Sequence, residues 1–321
     1  MLKLAHKIRH IRAKRPEQEP LLCARKITES RSMRILVTGA RGQLGSDLVK
    51  ELEKRGIEAL AYDVEEMDIR DLSACRNAMG REHEKKPIEG VIHCAAYTAV
   101  DKAEDEIGNV KQINAEGTEN IAKVCADLGI KMMYISTDYV FDGEGERAWK
   151  PDDERNPLNV YGQSKYEGEL AVEKHLEKYF IVRISWVFGL RGNNFIKTML
   201  RLGREKKELK VVDDQIGSPT YTPDLSVLLA DMILSDKYGR YHATNEGLCS
   251  WYEFAKEIFL QAKLKEVKVI PVSSEEFPVK AKRPHNSRMD KSKLEENGFR
   301  RLPVWQDALR RYLIELQSEE A

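Results

Sequence analysis

Three side chains stand at offsets suited to proton transfer: Thr137, Tyr161 and Lys165. Tyr161 and Lys165 lie four residues apart in YGQSK, within a segment whose pattern predicts helix. On a helix that spacing sets an ammonium beside a phenol on one face. Thr137 closes an apolar run, 132–137, that reads as a strand, and it lies 24 positions before Tyr161. The Tyr–Lys spacing recurs at Tyr252 and Lys256, but the residue 24 positions before Tyr252 is Leu228, which has no hydroxyl. Tyr252 also stands beside Trp251 and Phe254, a setting for packing. A glycine-rich turn, Gly39-Ala40-Arg41-Gly42-Gln43-Leu44-Gly45, adds a nucleotide site. Together these residues suggest a nicotinamide enzyme that moves a proton and a hydride at a carbonyl.

The glycines follow G-x-x-G-x-x-G rather than the stricter G-x-G-x-x-G. Their context carries the reading, because a β-run precedes them and an amphipathic helix follows. Gly39 permits the tight turn, Gly42 admits a pyrophosphate, and Gly45 lets the helix pack on the sheet. The helix start, with Gln43 and Leu44, offers free N–H groups and a positive dipole end to phosphates. Asp63 ends the next strand, 18 residues past Gly45, where a carboxylate receives adenosine ribose hydroxyls. It would repel a 2′-phosphate, and no basic residue follows through Ile69, so NADH is expected over NADPH. The alternative for Asp63 is a loop cap. Asp68 and Ile69 fit beside the adenine. Ala95, Ala96 and Thr98 follow the third strand, where small side chains let a cofactor lie close.

The elements that position these residues alternate. Strands are expected at 35–38, 58–62, 90–95, 132–136 and 180–184, with helices at 43–55, 72–80, 114–128 and 159–178. Short apolar runs joined by helices mean parallel strands covered on both faces. The fold expected is α/β, a Rossmann-type doubly wound parallel sheet whose ligands bind at the carboxyl ends of its strands. Residues 33–185 form that domain, with a later contribution around 221–245. Residues 186–321 form a smaller, interleaved substrate-binding lobe, with helices at 223–235 and 251–263 and strand-like runs at 240–244 and 267–272.

The 321 residues carry no net formal charge, but the balance is uneven. Residues 1–32 hold nine Lys/Arg against three Asp/Glu, leaving 44 basic and 50 acidic groups beyond them. The body is mildly acidic, with no basic footprint for nucleic acid. The first 32 residues lack a long apolar core, so they are no secretory signal. They are expected to be a leader upstream of a start at Met33. The five cysteines (23, 75, 94, 125, 249) form no Cys-x-x-Cys, and Cys75, Cys94 and Cys125, in apolar surroundings, read as reduced core thiols of a cytoplasmic protein. No apolar stretch reaches about 18 residues, so no membrane span is expected.

Seven stretches resemble the extended short-chain dehydrogenase/reductase family: VTGARGQLG (37–45), HCAAYTAVDKAEDE (93–106), ISTDYVFDG (135–143), YGQSKYEGE (161–169), RISWVFG (183–189), VVDDQIGSPTYTPDL (211–225) and RPHNSRMD (283–290). They are most similar to its branch that reduces dTDP-4-dehydrorhamnose. The resemblance implies that NAD(P)H delivers hydride to the C4 ketone of a dTDP-sugar. Tyr161 would donate the proton, Lys165 would lie beside the phenolate and hold the nicotinamide ribose, and Thr137 would fix the carbonyl oxygen. Asp138 and Trp186 would touch the sugar, with core packing as the alternative for Trp186. Arg283 would fork a diphosphate, or equally form a surface salt bridge. Some members of the branch are described with magnesium at a dimer contact; its acidic ligands find no residue-by-residue match here, so no metal is assigned. A homodimer is the commonest assembly for soluble enzymes.

The same scaffold leaves two other readings open. One is another sugar-nucleotide enzyme, an epimerase or dehydratase. A dehydratase would be expected to carry an acidic pair by the active hydroxyl, whereas Thr137-Asp138 is followed by Tyr139. The other is a non-catalytic NADP-binding subunit like the β-subunit of methionine adenosyltransferase.

Overall fold

A computed structural model describes residues 33–320. The basic leader, with Cys23, lies outside the described residues.

Six strands form one parallel sheet: β1 (Arg34–Thr38), β2 (Glu58–Tyr62), β3 (Gly90–His93), β4 (Lys131–Thr137), β5 (Tyr179–Ile184) and β6 (Gly239–His242). Their order across the sheet is β2-β1-β3-β4-β5-β6, every pairing parallel. The doubly wound parallel sheet expected from the sequence is therefore present. The order reverses between β1 and β3, which opens a crevice outside their carboxyl ends. Helices α1 (Gln43–Lys54), α2 (Leu72–Lys85), α3 (Thr118–Leu128), α4 (Val160–His175) and α5 (Thr222–Ile233) complete the wrapping.

Side-chain alternation sorts the core. Ile35, Val37, Met133, Phe180 and Val182 point to one face and pack with Leu48 and Leu52 of α1 and Leu228 and Leu229 of α5. Leu36, Met132, Tyr134 and Ile181 point to the other, against Ile121 and Val124 of α3 and Val172 of α4. Strands β1, β3, β4 and β5 are buried along almost their whole length because both of their faces are covered, whereas the edge strand β2 alternates with exposed positions. A third cluster, with Phe188, Ile196, Tyr221, Phe254, Trp305 and Tyr312, is the core of the later part of the chain.

Three boundaries differ from the sequence expectation. Helix α2 runs five residues past Gly80, which does not take the left-handed conformation of a terminating glycine. The helix expected at 114–128 begins as a π-turn, Gln112–Gly117, and becomes α3 at Thr118. There the Asn114 carbonyl accepts from Thr118 Oγ1 (2.7 Å), while its side chain bridges to Tyr97 and Ser164. Helix α4 stops at His175, whose Nε2 meets Glu119 at 2.9 Å. Two long helices, Phe195–Glu205 and Trp305–Glu320, went unread, as did the short ones at Val100–Ala103, Ile107–Lys111 and Ser292–Glu296.

Candidate active site

The glycine turn follows β1 and opens α1. Gly39 has φ +63°, a left-handed conformation that glycine adopts without strain, and a β-carbon there would lie 2.7 Å from the Ala95 nitrogen. A β-carbon on Gly45 would lie 2.1 Å from the Gly39 carbonyl oxygen. The start of α1 has no side-chain cap. Its first N–H groups thus face the crevice with a positive dipole end and no side-chain acceptor. A dinucleotide pyrophosphate fits such a cradle.

Two clefts meet at this turn. One, of about 470 Å³, is lined by Gly39, Gly42, Asp63, Asp68, Ile69, Ala95 and Ala96. The other, of about 410 Å³, brings Gln43, Leu44, Gly45 and Thr98 together with Thr137, Asp138, Tyr161, Lys165 and Trp186. Gly39, Gly42 and Ala96 border both. Residues far apart in the chain thus converge on one continuous crevice. Arg283 lies outside these two clefts. It grips Asp101 in a forked ion pair (Nη2–Oδ2 2.7 Å, Nη1–Oδ1 3.0 Å) beside Tyr139, and it borders a third cavity walled by Trp251 and Phe277. Tyr139 meets the Tyr161 ring edge-on at 5.5 Å. Another cavity, about 580 Å³, belongs to neither cleft. It is lined by the second pair, Tyr252 and Lys256, with no glycine cradle. There Lys256 simply covers the Tyr252 ring at 5.1 Å.

Tyr161 and Lys165 sit in the first two turns of α4, whose start is capped by Asn159 Oδ1 accepting from the Gly162 N–H at 2.7 Å. Burial pushes the Tyr161 phenol up, and a hydrogen bond with Thr137 works against that. The acid form is therefore the resting form. Lys165 is buried; its Nζ donates to the Ile135 carbonyl at 2.7 Å and lies 4.2 Å from the centre of the Tyr134 ring. Burial pulls its pKa down to about 7, with Glu169 and then Cys94 opposing.

Asp138 is 3% exposed and accepts from Ser287 Oγ (2.5 Å) and Thr137 Oγ1 (3.0 Å). Burial outweighs those bonds and pushes its carboxyl up to about 6. A raised carboxyl stabilises the fold fully below about pH 4 and loses that contribution as pH climbs through about 6. Asp138→Asn should therefore raise the melting temperature by a few degrees at pH 7.5, a gain on the order of 2 kcal/mol, and change it little at pH 4. Thermal unfolding at the two pH values checks this; equal shifts at both would mean Asp138 is not held against its charge.

Trp186 is packed as the core reading expects, and it also borders the cleft. Its φ is +50°, a strain of about 1–3 kcal/mol for a bulky residue that persists only where packing enforces it. The enforcement is a stack on Trp251 at 3.8 Å and a Thr220 N–H bond to its carbonyl (3.1 Å). The half-buried indole still lines the cleft that holds Tyr161 and Lys165.

The sequence reading missed several participants. Arg41 stands inside the glycine turn; its backbone N–H donates to Asp63 Oδ2 (3.1 Å), and its guanidinium pairs with Glu65 at 2.8 Å and with Glu66. A cation thus lies beside Asp63 even though none follows it in the sequence. Ser287, Asp101 and Glu169 lay within quoted stretches; only the fold brings Ser287 to Asp138 and Asp101 to Arg283, whereas the four-residue step from Lys165 to Glu169 was legible on the helix. Among the described residues, no group of three or more His, Cys, Asp or Glu side chains could hold a metal ion. Cys75, Cys94, Cys125 and Cys249 are free thiols. No described helix is long and apolar enough to cross a membrane.

Residues 33–318 match the family model described as RmlD substrate binding domain. The chain belongs to that family. It is 41% identical over 285 residues to a spore coat polysaccharide biosynthesis protein, SpsK, of Bacillus subtilis, covering 89% of this chain and 98% of the relative. It is 38% identical over 302 residues to the dTDP-4-dehydrorhamnose reductase of Escherichia coli K12, covering 90% and 100%. The crystal structure of dTDP-4-dehydrorhamnose reductase from Bacillus anthracis strain Ames in complex with NADP superposes with a TM-score of 0.84 at 45% identity, covering 88% of this chain and 99% of that one. Family membership and the shared sheet place this chain among short-chain dehydrogenase/reductase-type α/β enzymes.

Proposed function

We propose that this chain reduces the C4 ketone of dTDP-4-dehydro-L-rhamnose to give dTDP-L-rhamnose. The observation that carries the reading is the convergence of Thr137, Tyr161 and Lys165 on the cleft that the glycine turn borders. The relatives named for this activity support it.

A bound nicotinamide supplies the hydride. Gly39, Gly42, Gln43, Leu44 and Gly45 hold the pyrophosphate, and Asp63 receives the adenosine ribose. Asp68, Ile69, Ala95, Ala96 and Thr98 line the rest of the cofactor. Thr137 turns its hydroxyl from Asp138 to donate to the ketone oxygen. Tyr161 passes its phenolic proton to that oxygen as it becomes an alkoxide, a stronger base than a phenolate, so a raised phenol still donates. The phenolate left behind needs a cation, and the Lys165 ammonium supplies it. Asp138 and Trp186 orient the sugar, its hydroxyls on the carboxyl and a ring face on the indole. Arg283 opens its pair with Asp101 to fork the diphosphate.

Asp63 favours NADH. Arg41, the cation that would attract a 2′-phosphate, is already paired to Glu65 and Glu66, so NADPH is accepted less well. Asp63→Ala should narrow the NADH/NADPH ratio of kcat/KM by roughly tenfold, the worth of one charge–charge term near a surface. An unchanged ratio would mean that Asp63 does not read the ribose.

The reaction is tested by mixing the protein with enzymatically made dTDP-4-dehydro-L-rhamnose and NADH or NADPH and following the absorbance of the reduced cofactor. Consumption that depends on the keto-sugar is expected. Cofactor left unconsumed while the protein co-purifies with a synthetase would favour a binding subunit.

A further inference from the structure

We propose that Glu169 is a positioning residue for this site: buried one turn beyond Lys165, its carboxylate supplies the negative charge the ammonium otherwise lacks and ties helix α4 to the residue before Thr137. The proposal rests on the reading of Tyr161 and Lys165 given above.

Tyr161, Lys165 and Glu169 follow one another at four-residue steps, so they line one face of α4. That face is laced to two consecutive residues of β4, just before Thr137. Lys165 Nζ donates to the Ile135 carbonyl at 2.7 Å and Ser136 Oγ donates to Glu169 Oε1 at 2.6 Å, while Tyr161 shares a cleft with Thr137. Glu169 therefore fixes how far along β4 the helix sits, and with it the offset between the phenol and the threonine hydroxyl.

The charge has the same logic. Glu169 and Arg183 are wholly buried. Arg183 clamps both carboxylate oxygens (Nε–Oε1 2.8 Å, Nη2–Oε2 2.8 Å), and Arg155 Nη1 adds a bond at 2.9 Å. A buried ion cluster is a poor way to gain stability, since apolar side chains of similar volume usually serve as well. A function explains its position. The other titratable groups coupled to Lys165 bring it no negative charge near neutrality. Burial pushes the Cys94 thiol up to about 12, pulls the His93 imidazole down to about 3, and raises the Tyr134 and Tyr161 phenols. Glu169 is the carboxylate that acts on the ammonium, and it stays ionised, at about 2, because Arg183, Ser136 and Arg155 outweigh the burial that would raise it. Without it, Lys165 would share the interior with two arginines.

The test uses full-length protein and NADH alone, read by fluorescence as a function of pH. Wild type should bind NADH less tightly as pH rises past a midpoint that vanishes in Lys165→Met. Glu169→Gln should move that midpoint to lower pH by about one unit, so that affinity at a fixed pH above it falls roughly tenfold. A folded Glu169→Gln protein with the wild-type midpoint would overturn the proposal. Glu169→Gln strips two arginines of a partner and can fail to fold, so Ser136→Ala supplies the second arm. It leaves both ion pairs in place and should lower kcat several-fold with the NADH midpoint unmoved; a wild-type kcat would overturn the positioning role. Because the midpoint is read without the sugar, an enzyme inert toward the keto-sugar sinks the proposed reaction separately. A wild type with no Lys165-dependent midpoint sinks the reading of the site, and this proposal with it.

Discussion

Tyr161→Phe should lower kcat by roughly a thousandfold, about 4 kcal/mol in the barrier, while NADH binds as in wild type. The ring is kept, so its edge contact with Tyr139 and its place in the cleft wall survive. What is lost is one O–H. Ketone reduction leaves an alkoxide that must take a proton at once or return the hydride, and Thr137 is a far weaker acid than a phenol. Steady-state turnover and NADH fluorescence on the same preparation separate the two effects. A variant with undiminished kcat would remove Tyr161 as the acid; one that loses NADH binding as well would make its role structural.

Gly45→Ala should weaken NADH binding by roughly 10- to 100-fold, through a clash of about 1–3 kcal/mol at the one turn the pyrophosphate touches. The added carbon would stand 2.1 Å from the Gly39 carbonyl and 2.8 Å from Ala40 Cα. Both are backbone atoms, so no side-chain rotation relieves the contact. The chain must instead push α1 away from β1, which carries the helix N-terminus off the phosphates. A titration with NADH and a melting curve check this: weaker binding and a lower melting temperature are expected together. Wild-type affinity in this variant would mean that the helix start does not hold the cofactor.

How much of this was legible in the sequence follows from the range of the forces. Strands β1 to β5 are apolar runs with turn signals at their ends, and local patterning suffices to find them. Tyr161 and Lys165 are neighbours on one helix, so their spacing alone sets their geometry. The later part of the chain is held by two-residue strands whose partners lie far away, such as Ile216–Gly217 with Cys249–Ser250 and Val187–Phe188 with Thr220–Tyr221. Nothing local marks those pairings. The same holds for Ser287, which reaches Asp138 across 149 positions, and for Arg283, whose partner Asp101 lies 182 positions away. Arg41 was missed for a different reason. A scan for cations after Asp63 looks in the right place along the chain, but β1 and β2 pair in register and bring the preceding turn to the same spot. The π-turn at Gln112–Gly117 has no sequence signature, because side-chain bonds from Asn114 to distant groups impose it.

The central claim is that hydride and proton meet at one sugar carbon and its oxygen in this cleft. The direct measurement supplies NADH deuterated at the nicotinamide C4 and locates the label in the sugar product by mass spectrometry and proton NMR. One deuteron at sugar C4 for each NADH oxidised is predicted, with no product formed by Tyr161→Phe on the same timescale. Sugar converted with no deuteron incorporated and NADH unconsumed would contradict the account.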